Sequence, residues 1–204
     1  FIWKIRFWQI SSHSPRQYGH YQQEYIKSCW TNCFELHLQY VNMEKKLFLL
    51  DAYALIYRAH FAFIKNPRIN SKGLNTSAIF GFCNSLLEVL NNHQPSHIGV
   101  VFDPPGGSDR GEVFESYKAN RQEMPEDIRK AIPFIFKLLK TMNIRLEMEE
   151  GYEADDLIGT LAKQAEKKGF KTYMMTPDKD FGQLVSENIF IYKPGRAGNP
   201  SEIL

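Results

Sequence analysis

Cysteine is scarce in this chain. Of 204 residues only Cys29, Cys33 and Cys83 carry a thiol, too few for a disulfide framework, which suits a reducing compartment. Long apolar runs are missing too: nothing approaches the ~18 uncharged apolar residues that mark a membrane-spanning helix. There is no Gly-rich phosphate loop of the P-loop or Rossmann type, no internal repeat and no low-complexity tract. A surplus of one charge is also lacking, since 25 Lys/Arg stand against 23 Asp/Glu for a net charge of +2. That small surplus lies in residues 1–42, which hold four basic residues (Lys4, Arg6, Arg16, Lys27) and two acids (Glu24, Glu35), so the remainder is neutral. Nucleic-acid binding therefore cannot rest on overall basicity and needs a local patch.

Residues 1–42 differ in composition from the rest of the chain. They contain all three tryptophans and two of the three cysteines, but no Asp and no Ala. The order of a signal peptide is absent, and "NMEKKLFLLD" resembles a protein start at Met43. The expectation is that 1–42 is upstream sequence read in frame, or else a disordered or partner-binding extension. Cys29, Cys33 and His37 recur every fourth residue, but zinc needs four ligands, and His13 or His20 would have to complete the set.

From Met43 onward, short apolar runs alternate with helical periodicity. "KLFLL" (46–50), "HIGVVF" (97–102), "IRLEM" (144–148), "KTYMM" (171–175) and "NIFIY" (188–192) read as strands. Helices are expected over 53–64, 77–92 (capped by Thr76 or Ser77), from Pro125 at the first helical position to about Met142, and over 153–168. Segments 66–76 and 103–111 have loop composition. This alternation predicts an α/β fold with a mostly parallel central sheet and helices on both faces. Sites in such sheets form at the carboxyl ends of the strands.

Acids stand at those ends. Asp51 closes "FLLD", Asp103 closes "GVVFD", and Asp178 and Asp180 follow "YMM" in "TPDKD"; Glu153, Asp155 and Asp156 open the helix "GYEADDLIGTLA". Each alone reads as well as a turn residue or helix cap. The helix acids can also complement a helix dipole, at about 0.3–1 kcal/mol each. Seven together are a different matter, because two unit charges 4 Å apart repel by about 4 kcal/mol at an effective dielectric near 20. A cleft holding all seven must protonate some members or hold cations. All-oxygen donors without local His or Cys favour Mg²⁺ or Mn²⁺, and two such ions suit phosphodiester hydrolysis. Between Asp103 and the helix at 126, and in the first turns of that helix, lie Arg110, Tyr117, Lys118, Arg121, Arg129 and Lys130, interleaved with Glu112, Glu115, Glu123, Glu126 and Asp127. They read either as a solvated mixed-charge surface or as a phosphate contact. In "SYKANR", Lys118 and Arg121 share a helix face beside an aromatic able to stack on a base. Arg58 lies near the proposed cleft, in the helix after Asp51.

"LLDAYALIYRAHFAF", "GVVFDPPGG…R", "SYKANR", "GYEADDLIGTLA" and "TPDKDFGQLV", in this order, resemble the 5′-nuclease domains found at the N-terminus of bacterial DNA polymerase I. These are members of the flap endonuclease, PIN-like superfamily. The resemblance runs from Met43 to Leu204. It implies metal ligation, by two or more Mg²⁺ or Mn²⁺ ions, at Asp51, Asp103, Glu153, Asp155, Asp156, Asp178 and Asp180. It implies DNA contacts at Arg58, Arg110, Tyr117, Lys118 and Arg121, with Asp103, Lys118 and Arg121 at the reacting centre. The implied activity is 5′-3′ exonuclease and 5′-flap endonuclease cleavage of DNA flaps, nicks and RNA primers in replication and repair, in a bacterial cytoplasm near the nucleoid. Ala52 and Asp109 depart from residues common in the family (Gly and Phe). The resemblance also implies a further metal-binding segment and a helix–three-turn–helix beyond Leu204. Without these, a DNA-binding body inactive in cleavage is the alternative, and a PIN-like ribonuclease is another.

Overall fold

Apolar runs too short for helices form most of the strands, and their alternation decides which face each side chain covers. The computed structural model describes residues 44–105, 123–195 and 201–204, all within the unit Glu44–Leu204. The expectations for residues 1–42, and for Arg110, Tyr117, Lys118 and Arg121, lie outside the described residues.

In chain order the elements are β1 (Lys46–Asp51), α1 (Ala52–Ala62), α2 (Ser77–Glu88), β2 (His97–Val101), α3 (Glu126–Thr141), β3 (Arg145–Glu147), α4 (Ala154–Lys167), β4 (Lys171–Met175), a 3₁₀ turn (Lys179–Leu184), β5 (Ile189–Lys193) and β6 (Glu202–Ile203). The sheet order is β3-β2-β1-β4-β5-β6. The first five strands pair in parallel, and β6 closes the edge antiparallel to β5. The order grows outward from β1 in both directions, so the crevice of the switch point lies between β1 and β4.

Two cores follow from the period of two. Phe48, Leu50, Val100, Phe102, Met175 and Tyr192 face α1, α2 and α3, whose Ile56, Phe82 and Ile135 are fully buried. Leu49, Val101, Met174, Ile189 and Ile191 face the opposite side, where Ile158 and Ala162 of α4 meet them. Burying one such side chain contributes about 2 kcal/mol, so α4 is fixed by its apolar stripe and its first turn is aimed by the sheet. Both faces are covered, as the alternation predicts. Among the described residues no helix is long and apolar enough to cross a membrane.

Some boundaries move. Pro125 is the N-cap of α3, in an extended conformation (φ −51°, ψ 137°), rather than its first helical residue. Neither Thr76 nor Ser77 caps α2 with its side chain. Asn75 does so from one residue earlier, accepting from the Ser77 amide at 3.0 Å and donating to Asp127 at 2.8 Å. The helix expected over 77–92 turns π-helical at Val89–His93 and ends at Gln94 in the left-handed region (φ 43°). The widened turn accompanies packing of the half-buried His93 ring, whose centroid lies 5.2 Å from Phe48 and 4.8 Å from Tyr192.

Candidate metal centre

Asp51 is the last residue of β1 and at the same time the N-cap of α1. It pairs in register with Val101 of β2, and the residue across β4 is the one after Met175, namely Thr176. Both carboxylate oxygens of Asp51 are engaged. The Ala54 amide donates to Oδ1 at 3.1 Å, and the Thr176 hydroxyl donates to Oδ2 at 3.2 Å. Burial raises its pKa to about 6, and the neighbouring charges of Asp155 and Asp103 push the same way. Thus β1, β2 and α4 deliver acids that feel one another.

Asp103 sits two residues beyond β2 and accepts from the Ala154 amide at 2.7 Å. It therefore caps α4 from a different strand and satisfies one of the orphan donors at that helix end. Tyr53 stands beside it: burial first, then the Asp103 charge, raises the Tyr53 phenol. Glu153 is buried and forms a capping box with Asp156, whose Oδ2 accepts from the Glu153 amide at 3.2 Å. Local pairing explains that couple without a metal. Asp155 belongs to the same helix turn and is half-buried. Beyond β4, the exposed Asp178 caps the 3₁₀ turn, accepting from the Asp180 amide at 2.9 Å, and its own amide donates to Thr176 Oγ1 at 3.2 Å.

All seven acids lie at or just beyond the carboxyl edge. They are joined there pairwise: Asp51 to Asp178 through Thr176, and Asp103 to α4 through Ala154. They are not gathered further, for among the described residues no three His, Cys, Asp or Glu side chains stand grouped to hold a metal ion. The donor set nevertheless fits a hard divalent cation. It is all oxygen, the charges of Asp155 and Asp103 add to burial in raising Asp51, and each capping bond uses one lone-pair direction of an oxygen that has two.

Arg58 is placed differently from a phosphate contact. Its guanidinium donates to the carbonyl of Pro194 at 3.1 Å and to that of Gly195, strapping α1 to the chain leaving β5. Two residues of the site escaped the sequence reading, Thr176 and Tyr53. The signal for Thr176 was a hydroxyl between a buried strand and two acids. Tyr53, inside an apolar helix run, gave none.

The family described as 5′-3′ exonuclease, N-terminal resolvase-like domain, matches residues 46–203. A 5′-3′ exonuclease of Aquifex aeolicus (strain VF5) is 40% identical over 150 residues, 74% of this chain and 51% of that protein. DNA polymerase I of Bacillus subtilis (strain 168) is 43% identical over 145 residues, 70% of this chain and 16% of that protein. The chain thus spans only part of these relatives. Among solved structures, T5 5′-exonuclease with bound divalent metal ions (zinc) superposes with a TM-score of 0.60 at 17% identity, covering 77% of this chain and 57% of that one. A bacteriophage T5 flap endonuclease in a pseudo-enzyme–product complex with DNA and metal ions gives 0.57 at 18% identity, covering 72% and 54%. At such identities the likeness is one of fold, and the fold is the one the motifs implied.

Proposed function

This chain belongs to the 5′-3′ exonuclease family, through its N-terminal resolvase-like domain, and from that premise we propose that it carries the acid-bearing domain of a structure-selective 5′ nuclease. The substrate class is DNA carrying 5′ flaps, nicks or RNA primers, and the parent activity is that of the 5′-nuclease part of a DNA polymerase I. One observation carries the reading. At the crevice between β1 and β4, a buried Asp51 is held near pKa 6 by burial and by the charges of Asp155 and Asp103. Burial is the larger cause and the two neighbouring charges add to it; a structural cap gains nothing from either, whereas a bound cation would offset both.

Asp51, Asp103, Glu153, Asp155, Asp156, Asp178 and Asp180 would hold two or more Mg²⁺ or Mn²⁺ ions. Such ions supply charge compensation and an activated water for hydrolysis of a phosphodiester. The chain's own residues do the rest. Asp103, fixed by the Ala154 amide, and Asp51, fixed on both oxygens, would hold the ions at set positions on the carboxyl edge. In the proposal Lys118 and Arg121 hold the reacting phosphate, Tyr117 stacks on a base, and Arg110 and Arg58 contact the backbone, the latter after release of its carbonyl partners.

A second reading has its own support. Five of the seven carboxylates serve as caps or in a capping box, and no three stand as a ligand group among the described residues. That arrangement suits a DNA-binding body that does not cleave. A 5′-flap duplex incubated with Mg²⁺ or Mn²⁺ separates the two. Cleavage that disappears in Asp103→Ala while flap binding persists supports the nuclease. An unchanged rate in that variant removes Asp103 from the reacting centre.

A further inference from the structure

Thr176 lies one residue past β4, is fully buried, and bridges two of the acids. Its hydroxyl donates to Asp51 Oδ2 at 3.2 Å, and its oxygen accepts from the Asp178 amide at 3.2 Å. The direction of both bonds is forced. An amide N–H only donates, and an ionised carboxylate only accepts, so the single hydroxyl proton is committed to Asp51. With the Ala54 amide on Oδ1, both Asp51 oxygens are pinned and the carboxylate plane cannot rotate. The same hydroxyl fixes the backbone that presents Asp178. One side chain therefore sets the relation between the acid ending β1 and the acid following β4, across the switch-point crevice.

We propose that Thr176 is a positioning residue for divalent-cation binding, acting through Asp51 and the Asp178 backbone. This rests on the reading of the carboxyl edge as a cation site. A buried threonine of ordinary structural role is present for comparison in the same segment: Thr172, fully buried, has an Oγ1 with no hydrogen-bond partner among the described residues. The contrast is what assigns Thr176 its role. Burial alone does not require a bonded hydroxyl here, and the bonded one is the one at the acids. Groups that orient ligand side chains in this way alter cation affinity by roughly 10- to 100-fold when removed.

The test is Mn²⁺ binding to the full chain, read by the electron paramagnetic resonance of the free ion at pH 7.5, with cation-free melting as the check on folding. Thr176→Val keeps the volume and loses the hydroxyl, and its half-saturation should rise by roughly 10-fold or more. Thr176→Ser should stay close to wild type, and Thr172→Val should not differ from it. In flap cleavage, Thr176→Val should raise the Mg²⁺ concentration needed while most of the rate returns at saturation. Should Thr176→Val not fold, the pair Thr176→Ser and Thr176→Ala repeats the comparison, and equal Mn²⁺ affinity in that pair overturns the proposal. Wild-type affinity in Thr176→Val alongside weakened binding in Asp51→Asn overturns the positioning role and leaves the cation site standing. Wild-type affinity in Asp51→Asn overturns the cation site itself.

Discussion

Asp51 is a carboxylate placed where its charge is least welcome. It is 9% exposed, and its pKa is raised from 3.8 to about 6. The sign comes from linkage. The folded state holds the Asp51 proton more tightly than the unfolded state, so its contribution to stability is most favourable below about pH 4 and declines as pH rises through 6. A difference of that size costs about 3 kcal/mol once both states are ionised. Asp51→Asn removes the charge but leaves one of the two hydrogen bonds poorly matched, at about 1 kcal/mol. The variant should therefore gain about 2 kcal/mol over wild type at pH 7.5 in urea unfolding without divalent ions, and be slightly less stable than wild type at pH 4, where the charge cost has nearly vanished and the hydrogen-bond cost remains. A gain independent of pH would mean that charge is not its source. The position of Asp51 at a strand end was legible in the sequence, because an acid after an apolar run has few other places to go. Its hydroxyl partner was only weakly marked, as a hydroxyl between a buried strand and two acids, because the bond that defines it joins residues 125 apart in the chain. Arg58 was legible as a basic residue near the crevice, but the carbonyls it meets belong to a distant turn.

Among the elements, the parallel strands were legible nearly to the residue because burial on both faces demands apolar runs. The local caps at Asp51, Glu153 and Asp178 were readable as caps, but those at Asn75 and Asp103 were not, because each is settled by a tertiary partner. Asn75 serves α2 because its amide group also reaches Asp127 of α3, and Asp103 serves α4 from another strand. The pairing of α1 with α2 depends on a single missing methyl group. A Cβ at Gly81 would stand 2.4 Å from the Ala59 Cβ and 3.2 Å from its Cα, so the helices touch through backbone. Gly81→Ala gains up to about 1 kcal/mol of helix propensity but forces the two helices apart, at a cost of roughly 1–3 kcal/mol. The expected result is a net loss of stability in thermal unfolding, carried by α1 and therefore felt at Asp51. A Tm equal to or above wild type would show that the helices separate freely. Gly159 of α4 is the milder comparison, with a flexible Leu184 methyl 3.1 Å from its added Cβ.

For the whole molecule, chain direction links the acids to the basic residues of 106–122. The strand β2 leads to Asp103 at the carboxyl edge. Because α3 precedes a parallel β3, its N-terminus at Glu126 lies at that edge too. The described chain leaves this edge at Pro105 and resumes at Glu123, and Arg110, Tyr117, Lys118 and Arg121 fall between those two positions in the sequence. An ammonium from that stretch has two possible uses that kinetics can separate. If Lys118 holds the phosphate that reacts, its contribution is greatest in the transition state, and removing it lowers turnover more than affinity. If it only neutralises the DNA backbone, its loss weakens binding and cleavage together and reduces the salt slope of binding by about one. We expect the first. Lys118→Ala should lose roughly 100-fold in single-turnover cleavage of a 5′-flap duplex at saturating enzyme, with duplex Kd and its salt slope nearly unchanged. Equal losses in both quantities, with the flatter salt slope, would reassign the segment from the reacting centre to a plain electrostatic footprint.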